Sequence, residues 1–409
     1  MKTLRVVFFA LLFALPFAAQ AQAPAQERAL TFVEALKGGQ VAVDLRYRYE
    51  FVDQDGIARQ GHASTLRTAL GYRTAAFRGF QVYLQAENVT DIGAGDAHND
   101  AGRGGRGNGI VDRPVIPDPS GTDFLQAYVS WTGSDTQVEL GRQEIVIDDA
   151  RFIGNVVWRQ HHQSFRAIRG RNASFGNLRA QYAFVDRVYR IFGDQQDTAT
   201  HLINASYEFS PAARLTGYGY ILRYDSPSFA GLDTDTFGAE LQGRIPLGEG
   251  SLALRYEAEY AWQGDGGDNP ATLSADYLHA MLAIEPGKFG FRIGWERLGG
   301  SRQDGQFNTP LATLHAFNGW ADKFLSTPTD GLEDLYVRAN GPLGPLVWML
   351  VYHDFRAATG SDRYGNEFDF QVAYTAPWKQ GFMLRGAIYG ADEFATDTTK
   401  IWALTNYSF

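Results

Sequence analysis

The sequence predicts an all-β fold, a transmembrane antiparallel β-barrel of about 18 strands, and three observations predict it. The chain of 409 residues holds 28 Phe, 20 Tyr and 8 Trp but is only 44% hydrophobic, a balance typical of strands with one apolar and one polar face. Apolar and polar residues alternate with a period of two along most of the chain, which indicates strands. Short and long connections also alternate, as in barrels with short periplasmic turns and long extracellular loops.

The N-terminal segment 1–21 is typical of a signal peptide. The basic residues Lys2 and Arg5 precede a short apolar run, and the small residue Ala21 offers a cleavage site. Residues 22–409 then form one domain, the barrel. We therefore expect a protein that is exported across the inner membrane of a bacterium and placed in its outer membrane.

Composition excludes several other classes of protein. The chain has no cysteine, so disulfide frameworks and thiolate metal sites are excluded. After the leader, no run of 18 apolar residues occurs, which excludes a membrane protein built of helices. The net charge of −9 gives no overall basic footprint for nucleic acid.

Eighteen strands follow from the alternation, which is clearest in 41–52 and 251–263. The predicted strands are 41–52, 63–75, 80–91, 122–132, 136–147, 163–172, 176–190, 198–209, 212–224, 233–245, 251–263, 274–285, 288–298, 332–340, 345–356, 366–376, 381–391 and 399–409. Gly and Pro mark the short connections, which is typical of turns. The terminal Phe409 is the usual last residue of bacterial outer-membrane barrels.

The polar face of these strands predicts the function, because in a spanning barrel the apolar face meets lipid and the other face lines the lumen. Arginine dominates this face and lysine is nearly missing from it. Arginine stays charged and binds carboxylates through two parallel hydrogen bonds, and rings of basic side chains select anions. An alternative stays open, in which these arginines only pair with acids of neighbouring strands. The predicted pore-lining residues are Arg46, Arg48, Arg67, Arg142, Glu144, Arg179, Arg244, Arg255, Arg292, Arg338 and Arg385.

Two long segments, LGRQEIVIDDARFIGNVVWRQ at 140–160 and FNTPLATLHAFNGWADKFLSTP at 307–328, resemble the alginate export family of outer-membrane proteins. The resemblance implies a monomeric eighteen-stranded barrel with an arginine-rich lumen, loops folded over or into it, and passage of an anionic uronate polymer. It also places Arg142 and Glu144 in the matching GRQE segment. The gating-loop candidates that it implies are Asp148, Asp149, Arg151 and Arg159.

We therefore expect an outer-membrane channel that exports an anionic polysaccharide, alginate or a related polyuronate. The alternatives are a porin for small anionic solutes such as sugar acids, a barrel enzyme, and a secreted soluble β protein. The expected surroundings are outer-membrane lipid, the polysaccharide, a periplasmic scaffold and an inner-membrane synthase. We expect no enzymatic activity, no cofactor and no metal.

Two oxygen-rich loops could bind calcium but lack the spacing of an EF-hand. Their candidate ligands are Asp96, Asn99, Asp100, Asp112, Asp265, Asp268 and Asn269.

Overall fold

The computed structural model describes residues 31–93 and 97–409. The predicted signal peptide at 1–21 and the calcium candidate Asp96 lie outside the described residues. A short helix, α1 (Phe32–Lys37), precedes the barrel and begins with a capping box between Thr31 and Glu34. No helix within the described ranges is long and apolar enough to cross a membrane.

Twenty strands follow α1. They are β1 (Gln40–Gln54), β2 (Gly61–Arg73), β3 (Phe80–Asp91), β4 (Gly121–Gly133), β5 (Thr136–Gln143), β6 (Ser164–Phe175), β7 (Leu178–Tyr189), β8 (Gln195–Ser210), β9 (Ala213–Leu222), β10 (Thr234–Pro246), β11 (Leu252–Asp265), β12 (Ser274–Pro286), β13 (Gly290–Leu298), β14 (Gly300–Ser301), β15 (Gly305–Gln306), β16 (Leu332–Leu343), β17 (Leu346–Arg356), β18 (Arg363–Thr375), β19 (Gly381–Ala391) and β20 (Thr398–Ser408). Two 3-10 turns lie at Pro227–Leu232 and Leu314–Ala316.

All of these strands except the short hairpin β14–β15 form one closed antiparallel sheet of 18 strands. Each strand pairs with its neighbours in sequence, and β20 pairs with β1 from Asp44 opposite Ser408 to Gln54 opposite Thr398. Val43 and Phe409 exchange backbone hydrogen bonds at 2.9 and 3.0 Å. Closure leaves no free sheet edge, which a bilayer requires because its interior offers no water to unpaired backbone groups. The predicted fold is confirmed.

The two faces of the barrel differ as the alternation predicts. On β1, Leu45 is exposed on the outside, whereas Arg48 and Glu50 are buried in the lumen. On β5, Leu140 is 62% exposed and the adjacent Glu139 is buried. β-bulges interrupt this regular alternation between β3 and β4, β6 and β7, and β7 and β8. A bulge adds one residue to one strand and so changes which residues face the lumen beyond it.

Three connections are much longer than the rest, namely 92–120, 144–163 and 299–331. All three join strands at the end of the barrel opposite the termini of the sheet, where the long loops are expected. The β5–β6 loop (residues 144–163) and the β13–β16 loop (residues 299–331) fold into the barrel and position the site.

Candidate functional site in the barrel lumen

The β5–β6 loop and the β13–β16 loop meet inside the barrel and are joined by backbone hydrogen bonds. The amide of Gly154 donates to the carbonyl of Leu311 at 2.8 Å, and the amide of Thr313 donates to the carbonyl of Ala150 at 3.0 Å. Two irregular segments thus satisfy one another's backbone groups where no sheet is available.

Aromatic side chains reinforce this junction. Trp158 of the β5–β6 loop stacks on His315 of the β13–β16 loop with ring centroids 4.4 Å apart, and Trp402 of β20 meets Trp158 edge-on. The guanidinium of Arg385 lies between Trp158 and Trp320, 4.3 and 3.8 Å from their ring centroids. Arg385, a predicted pore-lining residue, is therefore enclosed by the loops, where cation–π attraction holds it.

His315 connects this cluster to an ion-pair network. Its Nδ1 lies 2.7 Å from Asp322 Oδ1, and its Nε2 lies 3.1 Å from Arg385 Nη1. Burial lowers the pKa of His315 to about 4, so the neutral ring donates from Nδ1 and accepts the Arg385 donor at Nε2. Burial alone would raise the pKa of Asp322, but His315, Lys400 and Arg159 outweigh it and hold that pKa below its usual range.

On the adjacent wall, arginines of β1 fasten the β5–β6 loop. Arg46 donates to the carbonyl of Val157 at 2.8 Å and to Gln160 Oε1 at 2.9 Å. Arg48 donates to the Asp118 carboxylate and to the carbonyl of Trp158.

Two further ion pairs stiffen this wall. Arg67 pairs with Glu87 at 3.0 Å, and Arg159 of the loop pairs with Glu50 at 3.2 Å. For Arg46, Arg48 and Arg67 the structure therefore places the guanidinium against wall and loop acceptors.

Arg151 joins both loops to the lumen wall. Its Nε lies 2.6 Å from Glu296 Oε1 of β13, and its two other nitrogens lie 3.2 and 3.3 Å from Thr309 Oγ1 and Asn318 Oδ1. Burial alone would lower the pKa of Arg151, but the carboxylate of Glu296 outweighs it and raises that pKa above its usual value.

Four other predicted arginines form one row across the lumen wall, which we call the arginine row (Arg244, Arg255, Arg292 and Arg338). Arg244 lies directly opposite Arg255, and Arg292 directly opposite Arg338. Ala283 of β12 lies between Arg255 and Arg292 in the same register. The row is near the end of the barrel that carries the short turns, and the side chains of Arg244 and Arg255 are 50% and 43% exposed.

Within the described ranges, Glu285 is the one carboxylate within 4.0 Å of the arginine row, 3.0 Å from Arg244 and 3.6 Å from Arg255. Like charges directly opposite one another destabilise a sheet. The row therefore carries an excess of positive charge that faces the lumen.

Carboxylates lie further from the periplasmic end of the same strands, Glu240 and Glu259 four residues from the arginine row and Glu257 two residues from it. We call this group the acidic patch (Asp148, Asp149, Glu240, Glu257 and Glu259). Glu240 lies directly opposite Glu259, while Asp148 and Asp149 come from the β5–β6 loop. Burial raises the pKa of Asp149 to about 6, and nearby Glu257 adds to that rise. Since a strand rises about 3.3 Å per residue, Glu240 and Glu259 are about 13 Å, and Glu257 about 7 Å, from the arginine row along their strands.

The remaining predicted residues lie elsewhere. Arg142 shares the strand face of Leu140, is 3.1 Å from Asp123, and lies over the Tyr189 ring at 3.7 Å from its centroid. Glu144 binds Asn155 and His162 of its own loop, each at 2.9 Å. Arg179 is exposed near the periplasmic end of β7.

The loop acids considered for calcium make contacts within their own loop or with a neighbouring loop. Asp100 accepts from the amides of Gly102 and Asn108 at 3.0 and 3.1 Å. Asp112 pairs with Arg59 at 3.1 Å.

Sequence reasoning missed the roles of His315, Asp322 and Asn318. All three lie inside the segment 307–328 that carries the resemblance, but nothing periodic singles them out.

The family model described as alginate export matches residues 39–287, more than half of the chain. The protein belongs to the alginate export family. Its members are outer-membrane proteins, and this one is an outer-membrane β-barrel of the bacterial type. A search of curated proteins finds no match.

Solved structures of other outer-membrane barrels share its fold. Pseudomonas aeruginosa OpdK, solved with vanillate, is 15% identical with a TM-score of 0.70 over 91% of this chain and 99% of its own. OccK9 (OpdG) of the same organism is 15% identical with a TM-score of 0.71 over 92% and 99%. Acinetobacter baumannii OccAB2 is 16% identical with a TM-score of 0.69 over 92% and 99%. These likenesses concern the barrel architecture. The channel role of this protein follows from its membership of the alginate export family.

Proposed function

We propose that this channel exports an anionic polysaccharide, alginate or a related polyuronate, and that the arginine row binds the carboxylates of the polymer as they pass. The observation that carries the proposal is the register of the row, in which guanidinium groups lie directly opposite one another across neighbouring strands. Such like-charge pairs destabilise the sheet. An anionic cargo that meets the row offsets this cost.

The proposed mechanism is passive translocation. Each guanidinium replaces part of the hydration of a carboxylate through charge-assisted hydrogen bonds. Adjacent strands lie about 4.8 Å apart, so the row offers neighbouring anchor points to successive carboxylates of one chain. Glu285 weakens the contacts at Arg244 and Arg255, and several weak sites in series keep an anion moving where one deep site would trap it.

The two inward loops form the gate in this proposal. Arg151 and Arg159 attach the β5–β6 loop to wall carboxylates. Asp148 and Asp149 belong to the same loop, and Asp148 accepts a hydrogen bond from Asn204 of β8 at 2.7 Å. Because the loops are hydrogen-bonded to each other, they move together when the channel opens.

The proposal also includes the surroundings of the channel. Residues 1–21 direct export and are removed, the barrel works as a monomer, and an inner-membrane synthase with a periplasmic scaffold supplies the polymer and the direction. No turnover chemistry takes place in the barrel.

A second candidate function is uptake of small anionic solutes such as sugar acids. The observation that favours it is the number of buried ion pairs that fasten the loops, since a small acid can pass beside closed loops, whereas a polymer needs them displaced. OpdK, whose fold this chain shares, was solved with vanillate, the anion of a small aromatic acid.

Conductance in planar bilayers tests the proposal. We expect the wild-type channel to prefer anions and to be blocked by polyuronate, and the R244Q/R255Q/R292Q/R338Q variant to lose both properties. The matched control is Arg166→Gln, which removes one charge from an exposed pair with Asp186. Cation selectivity without polymer block would refute the proposal.

Liposome swelling separates the two candidates. Export predicts polymer block of the bilayer current together with permeation of oligouronates of increasing length once the loops are displaced. Swelling with monomeric sugar acids alone, without any block by polymer, would favour uptake.

A further inference from the structure

The lumen wall beneath the β5–β6 loop carries a group of side chains that channel function does not require. Glu257 and Glu259 of β11 and His279 of β12 each offer one ligand atom, and these atoms all lie within 4.8 Å of one another. We propose that Glu257, Glu259 and His279 bind a divalent metal cation. The side chains of His279 and Glu257 are mostly buried but remain 11% and 19% exposed, so ions reach them from the water of the lumen.

The hydrogen bonds of His279 support a ligand role. Its Nε2 lies 3.1 Å from the Tyr336 hydroxyl and its Nδ1 lies 2.9 Å from Glu257 Oε1. When Nε2–H donates to Tyr336, the lone pair of Nδ1 faces a carboxylate lone pair, and the two repel unless a proton or a cation joins them. Metal-binding histidines are commonly fixed in this way, through a hydrogen bond from the second ring nitrogen.

An unsatisfied hydroxyl lies at the same height of the wall, two strands from Glu259. Thr216 of β9 is 0% exposed, and its Oγ1 has no hydrogen-bond partner. Thr216 lies directly opposite Glu240, which lies directly opposite Glu259. Tyr218, two residues along on the same face, donates to Glu259 at 2.6 Å. A buried polar atom without a partner costs about 1–3 kcal/mol, so the wall beside the acidic patch holds a hydroxyl that protein groups leave unsatisfied.

The negative charge around Glu257, Glu259 and His279 also favours binding of a cation. In the part of the chain that the structure describes, His279 is the only basic side chain within 4.0 Å of any carboxylate of the acidic patch, and it contacts Glu257 alone. Carboxylates removed from water without a cationic partner are costly. A divalent ion supplies the countercharge, and Asp149 of the β5–β6 loop faces the same space.

The donor set selects the class of metal. One imidazole with two carboxylates suits Zn²⁺ or Mn²⁺ better than Ca²⁺, which prefers oxygen ligands alone. Ligand atoms at about 2.1 Å from one ion lie about 3.0–3.4 Å apart. The separation of 2.9 Å between Glu257 and His279 is already near that value, and small side-chain rotations bring in Glu259.

Metal binding to the full-length barrel in detergent, freed of metal by a chelator, tests the proposal. Zn²⁺, Mn²⁺ and Ca²⁺ are titrated separately, with bound metal measured by equilibrium dialysis and mass spectrometry. We expect one equivalent of Zn²⁺ or Mn²⁺ per chain. We expect at least tenfold weaker binding in Glu259→Gln and in His279→Ala.

The control is Glu139→Gln, which removes a buried carboxylate of β5 that pairs with Arg171 at 3.1 Å and should leave binding unchanged. Heat-modifiable gel mobility shows that each variant is a folded barrel. Absence of saturable binding, equal binding in Glu259→Gln, or binding of Ca²⁺ alone that His279→Ala leaves intact would each overturn the site. Since binding and not conductance is measured, the result is independent of the proposed cargo.

Discussion

Arginine serves two roles in this lumen, and burial separates them. Arg48, Arg151 and Arg385 are almost inaccessible and are bound by carboxylates or aromatic rings. Arg244 and Arg255 of the arginine row are about half exposed. Strand alternation places Arg48, Arg244 and Arg255 alike on the inner face. It does not show which of these arginines a loop will cover, so the sequence could not separate the two roles.

The buried role predicts a stability effect at Arg151. Arg151→Met leaves the Glu296 carboxylate buried without its cation, and breaking a buried pair in this way costs about 3–5 kcal/mol. The measurement is the free energy of unfolding from denaturant titration in detergent. Arg166→Met is the matched control, because its pair with Asp186 is 42% and 44% exposed and exposed pairs contribute about 0–1 kcal/mol. An equal loss of unfolding free energy in the two variants would show that the ion pair of Arg151 does not stabilise the protein.

At the scale of elements, strands and loops differ in how far the sequence determines them. All eighteen barrel strands follow from alternation because each has one lipid face and one lumen face. Gly154 and Leu311 are far apart in the chain and are joined through backbone groups. No residue type or spacing in the sequence therefore predicts this contact. The metal site is equally hidden, since His279 and Glu259 meet only through the pairing of β11 with β12.

The loop junction predicts that the channel opens as the pH falls. His315 has a pKa of about 4 when docked and an ordinary value of about 6.5 when exposed. The equilibrium constant for docking of the β13–β16 loop in the lumen is therefore at its full value above pH 6.5. It falls by up to tenfold per pH unit as the pH falls from 6.5 towards 4. The groups that face His315 are Asp322, Arg385 and Arg159, of which Asp322 stays ionised in this range.

Open probability in planar bilayers, recorded between pH 7.5 and 4.5, measures this effect. We expect it to rise on acidification in the wild type and to rise much less in His315→Gln. His201→Gln serves as control, since His201 contacts Tyr182 on the β7–β8 wall at 2.9 Å and lies outside the junction. An unchanged pH response in His315→Gln would show that His315 does not control the opening of the channel.

At the scale of the whole molecule, the lumen wall from β10 to β16 is divided into two levels of opposite charge. The acidic patch lies beside the inward loops, and the arginine row lies about 7–13 Å nearer the periplasmic end along the strands. The net charge of −9 gives no sign of this separation, because a sum over the chain loses position.

Because the row acts through water, its selectivity depends on salt. The Debye length is about 10 Å in 0.1 M salt and about 3 Å in 1 M salt, and the latter is shorter than the spacing of about 4.8 Å between neighbouring strands. Reversal potentials in KCl gradients should therefore show clear anion preference near 0.1 M and should approach those of the R244Q/R255Q/R292Q/R338Q variant near 1 M. Selectivity that is unchanged at 1 M would mean that steric fit, and not the charge of the row, determines which ions pass.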